Sequence, residues 1–349
     1  MINILYRKKQ DQLGGFRENM EIRKIQVTGA GDTRIISLPK EWAERNQLDK
    51  GANVIIKELS TGDLIIYPQK SSRGSKKRIT RIVESDHVNR DILAAYLLGS
   101  DIIKVFSKEK KALVQKSNIR DLSRQLIGLE ILGETQEGIE LHFLIGEEKE
   151  NPKKYVKRCF SIANQMQNDA ITAFLKGDGA LAREVIDRDT EVNRLYFLIV
   201  RMLKIMADDK REVSYLKGPA CLDWRMVASY SEDLGDASVE FAKNVKENPD
   251  MNKMLSSQTL NKIESLGDTT TELLNQSLEN FFNQNVIGAE ILKRKIATQI
   301  RDEHTSIQDD ISKLDKEVVW QLSTLLNLFK ELHETAVDIG DLVIAKVSD

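Results

Sequence analysis

The stretch Arg23–Pro68, RKIQVTGAGDTRIISLPKEWAERNQLDKGANVIIKELSTGDLIIYP, decides how this chain is read. Ile25 and Val27, then Ile35 and Ser37, alternate at period two and predict two short strands, with Gly29 and Gly31 supplying the positive-φ positions of the turn between them. Pro39 ends the second strand and suits the start of a short helix over Lys40 to about Asn46. Gly51 opens a third strand over Val54–Leu59, and Thr61-Gly62-Asp63 turns it back into Leu64–Tyr67. The module is also basic: residues 1–90 carry 18 Lys+Arg against 11 Asp+Glu, although the net charge of the whole chain is −2. A basic head therefore precedes an acidic body. Lys and Arg in such a head can contact nucleic-acid phosphates, with an affinity that falls as salt rises. The same charges would also suit a solvated small sheet, or a hairpin that only dimerises the protein.

The order strand, SLPKEW, short helix, G-x-x-V, strand, turn, strand resembles the AbrB/SpoVT family of swapped-hairpin DNA-binding domains. The resemblance implies that two chains interleave their hairpins into one small barrel. It further implies that double-stranded DNA meets Arg23 and Arg34, with Arg45, Lys24 and Lys40 beside them. The loop Thr28–Thr33 is longer than in the bacterial form of the family.

At 349 residues the chain has room for two or three domains. It contains no run of eighteen apolar residues, and Met1–Gly15 begins with charged and polar residues, so a cytoplasmic protein without membrane insertion is expected. Cys159 and Cys221 lack metal-type spacing and read as small core residues. Lys70–Arg81, KSSRGSKKRITR, is polar and basic and reads as an exposed linker. A small α/β unit follows: strand Ile79–Val83, helix Asn89–Leu98, strand Ile102–Phe106, helix Ser117–Ile127, then strands Leu129–Gly133 and Ile139–Ile145. Neither G-x-G-x-x-G nor G-x-x-x-x-G-K occurs, so no phosphate loop is expected.

After Pro152 the pattern is helical, as in Ile162, Met166, Ala170 and Phe174 on one face. Breaks at residues 176–179, 217–219, 247–250 and 283–288 divide it into two runs of about three helices, an internal repeat. In the first run Asp189 and Asn193 stand four apart, as do Glu232 and Asp236, so each pair shares a helix face. Facing pairs of this kind offer the oxygen-rich surroundings that hard or borderline cations require. The competing reading is a row of surface carboxylates paired with Arg183, Arg188 or Arg194.

These helices resemble the PhoU family of phosphate-uptake regulators, particularly archaeal members that join an AbrB-like head to a PhoU-like body. Glu232–Asp236 matches the family's E-R-I-G-D motif, and Asp189–Asn193 takes the other motif position with Asn in place of the final Asp. The resemblance implies a divalent or iron-type metal ion at Asp189, Asn193, Glu232 and Asp236 in the first bundle. Asp187 and Glu191 read as solvent-facing neighbours. In the second repeat Lys295, Gln299 and Lys330 stand where acids are expected, leaving Glu334 and Asp338 as a four-apart pair and His333 as a surface residue or ligand. The expected fold is multidomain α+β. Residues 1–70 form the swapped-hairpin domain, 71–150 the linker and small α/β domain, 151–247 the first three-helix bundle and 248–349 the second. The implied function is a homodimeric, DNA-binding transcriptional regulator of phosphate uptake whose body senses metal or phosphate, or meets a transporter ATPase or sensor kinase. The alternative is a cytoplasmic accessory of the phosphate transporter whose head only dimerises. A carboxylate-bridged enzyme is not expected, because the one E-x-x-H spacing, Glu84–His87, lies outside the bundles.

Overall fold

Strands β1 (Gln26–Thr28) and β2 (Thr33–Ile35) pair antiparallel, with Gln26 opposite Ile35 and Thr28 opposite Thr33. The computed structural model describes residues 22–28, 33–58, 62–69, 77–108, 113–145, 151–208 and 218–343. Gly29, Gly31, the Thr61 corner and most of the Lys70–Arg81 linker lie outside the described residues. Pro39, with φ −59°, leads directly into helix α1 (Lys40–Arg45). Strands β3 (Val54–Glu58) and β4 (Leu64–Pro68) make a second antiparallel hairpin, Val54 opposite Pro68 and Glu58 opposite Leu64. Gly62 closes it at φ +83°, a conformation that disfavours any side chain.

The chain divides after Ser75 into two units. The second opens with a four-stranded sheet in the order β5-β6-β8-β7: β5 (Ile79–Val83), β6 (Ile102–Phe106), β7 (Leu129–Glu134) and β8 (Gly138–Phe143). β5 and β6 run parallel, which requires a crossover, and helix α2 (Val88–Leu97) supplies it. The remaining pairs are antiparallel. Helix α3 (Lys116–Gln125) covers the same face, so that Ile92, Tyr96, Ile103, Val105, Ile119 and Leu141 form a buried core. The strands and helices expected from the sequence all form, with ends shifted by one or two residues. The expected helix end at Ile127 moves to Gln125, because Gly128 takes φ +81° and the chain must turn into β7.

The rest of this unit is helical: α4 (Pro152–Lys176), α5 (Gly179–Asp208), α6 (Gly218–Glu247), a 3-10 turn (Met251–Met254), α7 (Ser257–Asn283), α8 (Val286–Lys295), α9 (Arg301–Ser312) and α10 (Lys316–Asp341). A π-turn at Ile296–Ile300 joins α8 to α9, so these two behave as the middle helix of the second repeat. The starts are capped as their sequences suggest. Asn151 accepts from Lys153 N with Pro152 at the first helical position, Ser256 accepts from Thr259 N, and Asn285 accepts from Gly288 N. α4 ends at Gly177, φ +64°, where a Cβ would stand 2.7 Å from the carbonyl oxygen of Pro249.

One continuous core runs through both repeats, with Phe160, Phe174, Phe241, Phe281 and Phe329 all 2 % exposed or less. The sheet is pinned to the bundle by Arg201 of α5. Its guanidinium is 2 % exposed, lies 3.8 Å from the Phe143 ring centre and 5.1 Å from that of Tyr96, and donates to the Tyr96 carbonyl oxygen. Cys159 and Cys221 are buried free thiols, as their spacing suggested.

Candidate functional site

The head displays every residue that the sequence nominates for DNA. Arg23 and Lys24 lie just before β1, Arg34 sits on β2 opposite Val27, and Lys40 and Arg45 occupy the two ends of α1; all five are exposed. Lys40 has an exposed partner one turn on, Glu44, at 3.7 Å, which is worth little in stability. The apolar residues around these cations are exposed too. Ile22 is 95 % exposed, Val27 65 %, Ile56 59 % and Leu64 63 %, and no described side chain between 22 and 69 is buried, those of Lys57 and Tyr67 lying outside the description.

In the body, α5 and α6 bring Asp189, Asn193, Glu232 and Asp236 into one electrostatic neighbourhood. The α5 pair touches directly: Asn193 Nδ2 donates to Asp189 Oδ2 at 2.8 Å. The other oxygen, Asp189 Oδ1, is buried and has no hydrogen-bond partner among the described residues. Burial, followed by the charge of Asp236, holds the Asp189 carboxyl above its ordinary pKa. Glu232 is raised by burial first, then by Asp236, Asp233 and Asp189. Glu232 also adds to the burial that pushes the Cys159 thiol up to about 12, so this thiol stays protonated at neutral pH. The donor set is three carboxylates and an amide oxygen, suited to a hard or borderline cation. Its side chains are not drawn in around a single point: among the described residues no three His, Cys, Asp or Glu converge to hold an ion.

The arginines are placed differently from the expectation. Arg188 pairs with Asp169 of α4 at 2.6 Å rather than with the motif carboxylates, and Arg158 of α4 takes Glu191 at 2.6 Å, so Glu191 faces solvent as expected and also bridges two helices. Asp187 is exposed as expected. His333 corrects the surface reading. It is 8 % exposed, its Nε2 is 3.0 Å from Thr270 Oγ1 of α7, and burial followed by His304 lowers its pKa to about 4. The cause is its position on the α10 face that packs on α7. In the second repeat, Gln299 lies in the π-turn and bonds Glu303, while Lys330 stands 3.8 Å from Glu334.

Sequence reasoning missed a cleft of about 430 Å³ between α6 and α10, walled by Asp233, Asp236, Glu240, Glu331, Glu334 and Asp338. The signal was available as acids at positions i, i+3 and i+7 on the third helix of each repeat.

No described helix is long and apolar enough to cross a membrane. Comparison with known proteins finds two family models. Residues 156–245 match the PhoU domain, and residues 30–74 match the antidote-toxin recognition protein MazE, a bacterial antitoxin. No curated protein matches the chain at a significant level. Among solved structures the chain is similar to PhoU from Pseudomonas aeruginosa, at 18 % identity and TM-score 0.49 over 55 % of this chain and 93 % of that one. It is also similar to the phosphate transport system regulatory protein PhoU from Streptococcus pneumoniae, at 15 % identity and TM-score 0.47 over 55 % and 91 %. The chain thus carries a PhoU domain in its helical body, preceded by a MazE/AbrB-like domain in its head.

Proposed function

We propose that this protein is a cytoplasmic, homodimeric, DNA-binding regulator of phosphate uptake. The observation that carries the reading is the head, in which two hairpins bury no described side chain while exposing Arg23, Lys24, Arg34, Lys40 and Arg45. An isolated two-stranded hairpin is at best marginally stable. A second copy that interleaves its hairpins would cover Val27, Ile56 and Leu64 and leave the cations on the outer surface. The MazE match favours this use of the head, and the PhoU domain favours phosphate status as the regulated quantity. Arg23 and Arg34 would face the DNA, with Lys24, Lys40 and Arg45 adding phosphate contacts. The body would bias the spacing of the paired heads by binding a ligand better in one arrangement than in another. In this reading Asp189, Asn193, Glu232 and Asp236 hold a divalent or iron-type ion. Metal content of the purified protein tests that part, since Glu232→Gln with Asp236→Asn should abolish it, and an unchanged content would remove the assignment.

The same apolar exposure supports a second reading, in which the head only dimerises and the body serves a phosphate-transporter ATPase or a sensor kinase. Fluorescence anisotropy on a phosphate-transporter promoter duplex and on a scrambled duplex, across a salt series, separates the two. Selective binding that weakens with salt, and loses slope in Arg23→Ala/Arg34→Ala, supports the DNA regulator. Absence of binding at low salt leaves the accessory reading.

A further inference from the structure

The four-stranded sheet has two edges of different character. β7, at one edge, shifts its register against β8 between Ile131 and Gly133 and carries Glu130 and Glu134, a break in pairing and charges of the kind that discourage a further strand. β5, at the other edge, pairs with β6 in unbroken register and holds no Pro or Gly between Ile79 and Val83. The direction of its main-chain groups follows from the ladder. The carbonyl oxygen of Arg78 accepts from Ile102 N, and Glu84 N donates to the carbonyl oxygen of Phe106, so in this parallel pair the main chain of residues 78, 80, 82 and 84 turns toward β6. The N–H and C=O groups of Ile79, Arg81 and Val83 therefore point away from the sheet, where no described strand meets them.

The side chains of the same three residues stand on the sheet face opposite α2 and α3, whose own side is filled by Ile82, Ile103 and Val105. Ile79 is 53 % and Val83 62 % exposed, Arg81 is exposed between them, and Phe106, beside Val83 on β6, is 44 % exposed. The rim is thus apolar at both ends and cationic in the middle. No described acid is paired with Arg81, and Lys104, its neighbour on β6, already takes Glu140 at 2.7 Å. Charge selects the occupant. A second copy would bring two identical runs Lys77–Val83, KRITRIV, side by side, each with three cations and no acid, and like charges across paired strands are destabilising. A duplex would meet the cations but leave Ile79, Val83 and the outward ladder groups unused. An extended segment with an acid between two apolar residues at alternate positions meets all three features: main chain to main chain, carboxylate to Arg81, and apolar side chains to Ile79 and Val83.

We propose that β5 is a docking edge for an extended acidic segment of a partner protein, which adds antiparallel beside it with a carboxylate opposite Arg81 and apolar side chains opposite Ile79 and Val83. The edge belongs to the second unit, so its occupation is independent of whether the head binds DNA. The probe is a fluorescent peptide, STVTETVTS, followed by anisotropy on the full chain at an ionic strength of about 0.15 M, which mutes diffuse attraction. Its controls are a scrambled peptide of the same composition, the lysine counterpart STVTKTVTS, and a copy N-methylated at the glutamate amide. Saturable binding of STVTETVTS is expected, with affinity at least about fivefold lower for the scrambled and N-methylated peptides. Val83→Pro deletes one outward N–H without touching the ladder to β6, so the sheet persists while the peptide loses about fivefold in affinity. Arg81→Glu should reverse the preference in favour of the lysine peptide. The proposal is overturned by absence of saturable binding, by equal affinity for the scrambled peptide, by indifference to both N-methylation and Val83→Pro, or by an unreversed preference in Arg81→Glu. A loss of duplex affinity in Arg81→Glu with peptide binding unchanged would give this strand to nucleic acid and overturn it as well.

Discussion

The head and the body of this chain solve the burial problem in opposite ways. Between residues 22 and 69 no described side chain is buried, and β-branched residues such as Val27 and Ile56 stand more than half exposed. In the body a single core of aromatic and aliphatic side chains runs through both helical repeats, and the sheet adds a second core of its own. The body therefore has the apolar burial to fold as a monomer, and the head does not. In the proposed dimer the head's stability and association would be one event, because the surface that would hold a fold together is the surface that would meet a second copy.

Substitutions can test this contrast, starting with the deepest. Phe329→Ala should destabilise the body by about 3–5 kcal/mol, read as a lowered urea midpoint, because its fully buried ring has no way to be replaced by water. A loss below about 1 kcal/mol would mean that the bundle core is looser than described.

Next comes pH. Folded His333 titrates near 4 and the unfolded residue near 6.5, so its contribution is complete above pH 6.5 and is lost as pH falls through 4. The loss amounts to about 3 kcal/mol. Asp189, Glu232, Asp233, Glu331 and Asp338, all raised in the fold, act in the opposite sense: they favour the folded state as pH falls and weaken it as pH rises through their folded values. Comparing wild type with His333→Gln between pH 7 and pH 4 isolates the histidine. Parallel stability curves for the two proteins would show that His333 stays accessible to water.

The head should respond to quite different changes. Val27→Asp with Ile56→Asp is expected to convert a dimer to a monomer in sedimentation velocity while moving the body's unfolding transition by less than about 0.5 kcal/mol. Coupled loss of both would contradict the division after Ser75. The smallest effect belongs to Lys40→Ala. Its exposed pair with Glu44 leaves stability unchanged within about 0.5 kcal/mol, yet the slope of log affinity against log salt for DNA should fall by about one contact.

Local pattern carried much of this architecture. Pro39, Gly51 and Gly62 mark real boundaries in the head, and the caps at Asn151, Ser256 and Asn285 stand at real helix starts, because each of these depends on a few neighbouring residues. What escaped was set by long-range packing. Arg188 reaches Asp169 nineteen residues away on another helix, and Thr270 meets His333 across sixty-three residues, distances at which a one-dimensional pattern says nothing about direction. The four-apart motif acids were legible as a helix face, and their mutual proximity followed once α5 packed on α6. The facing of α6 on α10 was not, since the repeat predicts two similar helices without saying that they meet.

The placement of Arg201 has a consequence for motion. A guanidinium held against Phe143 and Tyr96 cannot leave with its helix unless a charge is dragged across apolar surface, so the sheet does not slide on α5 in small increments. Amides of β6 and β8 should then exchange with deuterium on the slow clock of the helical core, and a rotation of α5 would reach the ends of α2 and β8 without slack, as torque passes through a keyed shaft.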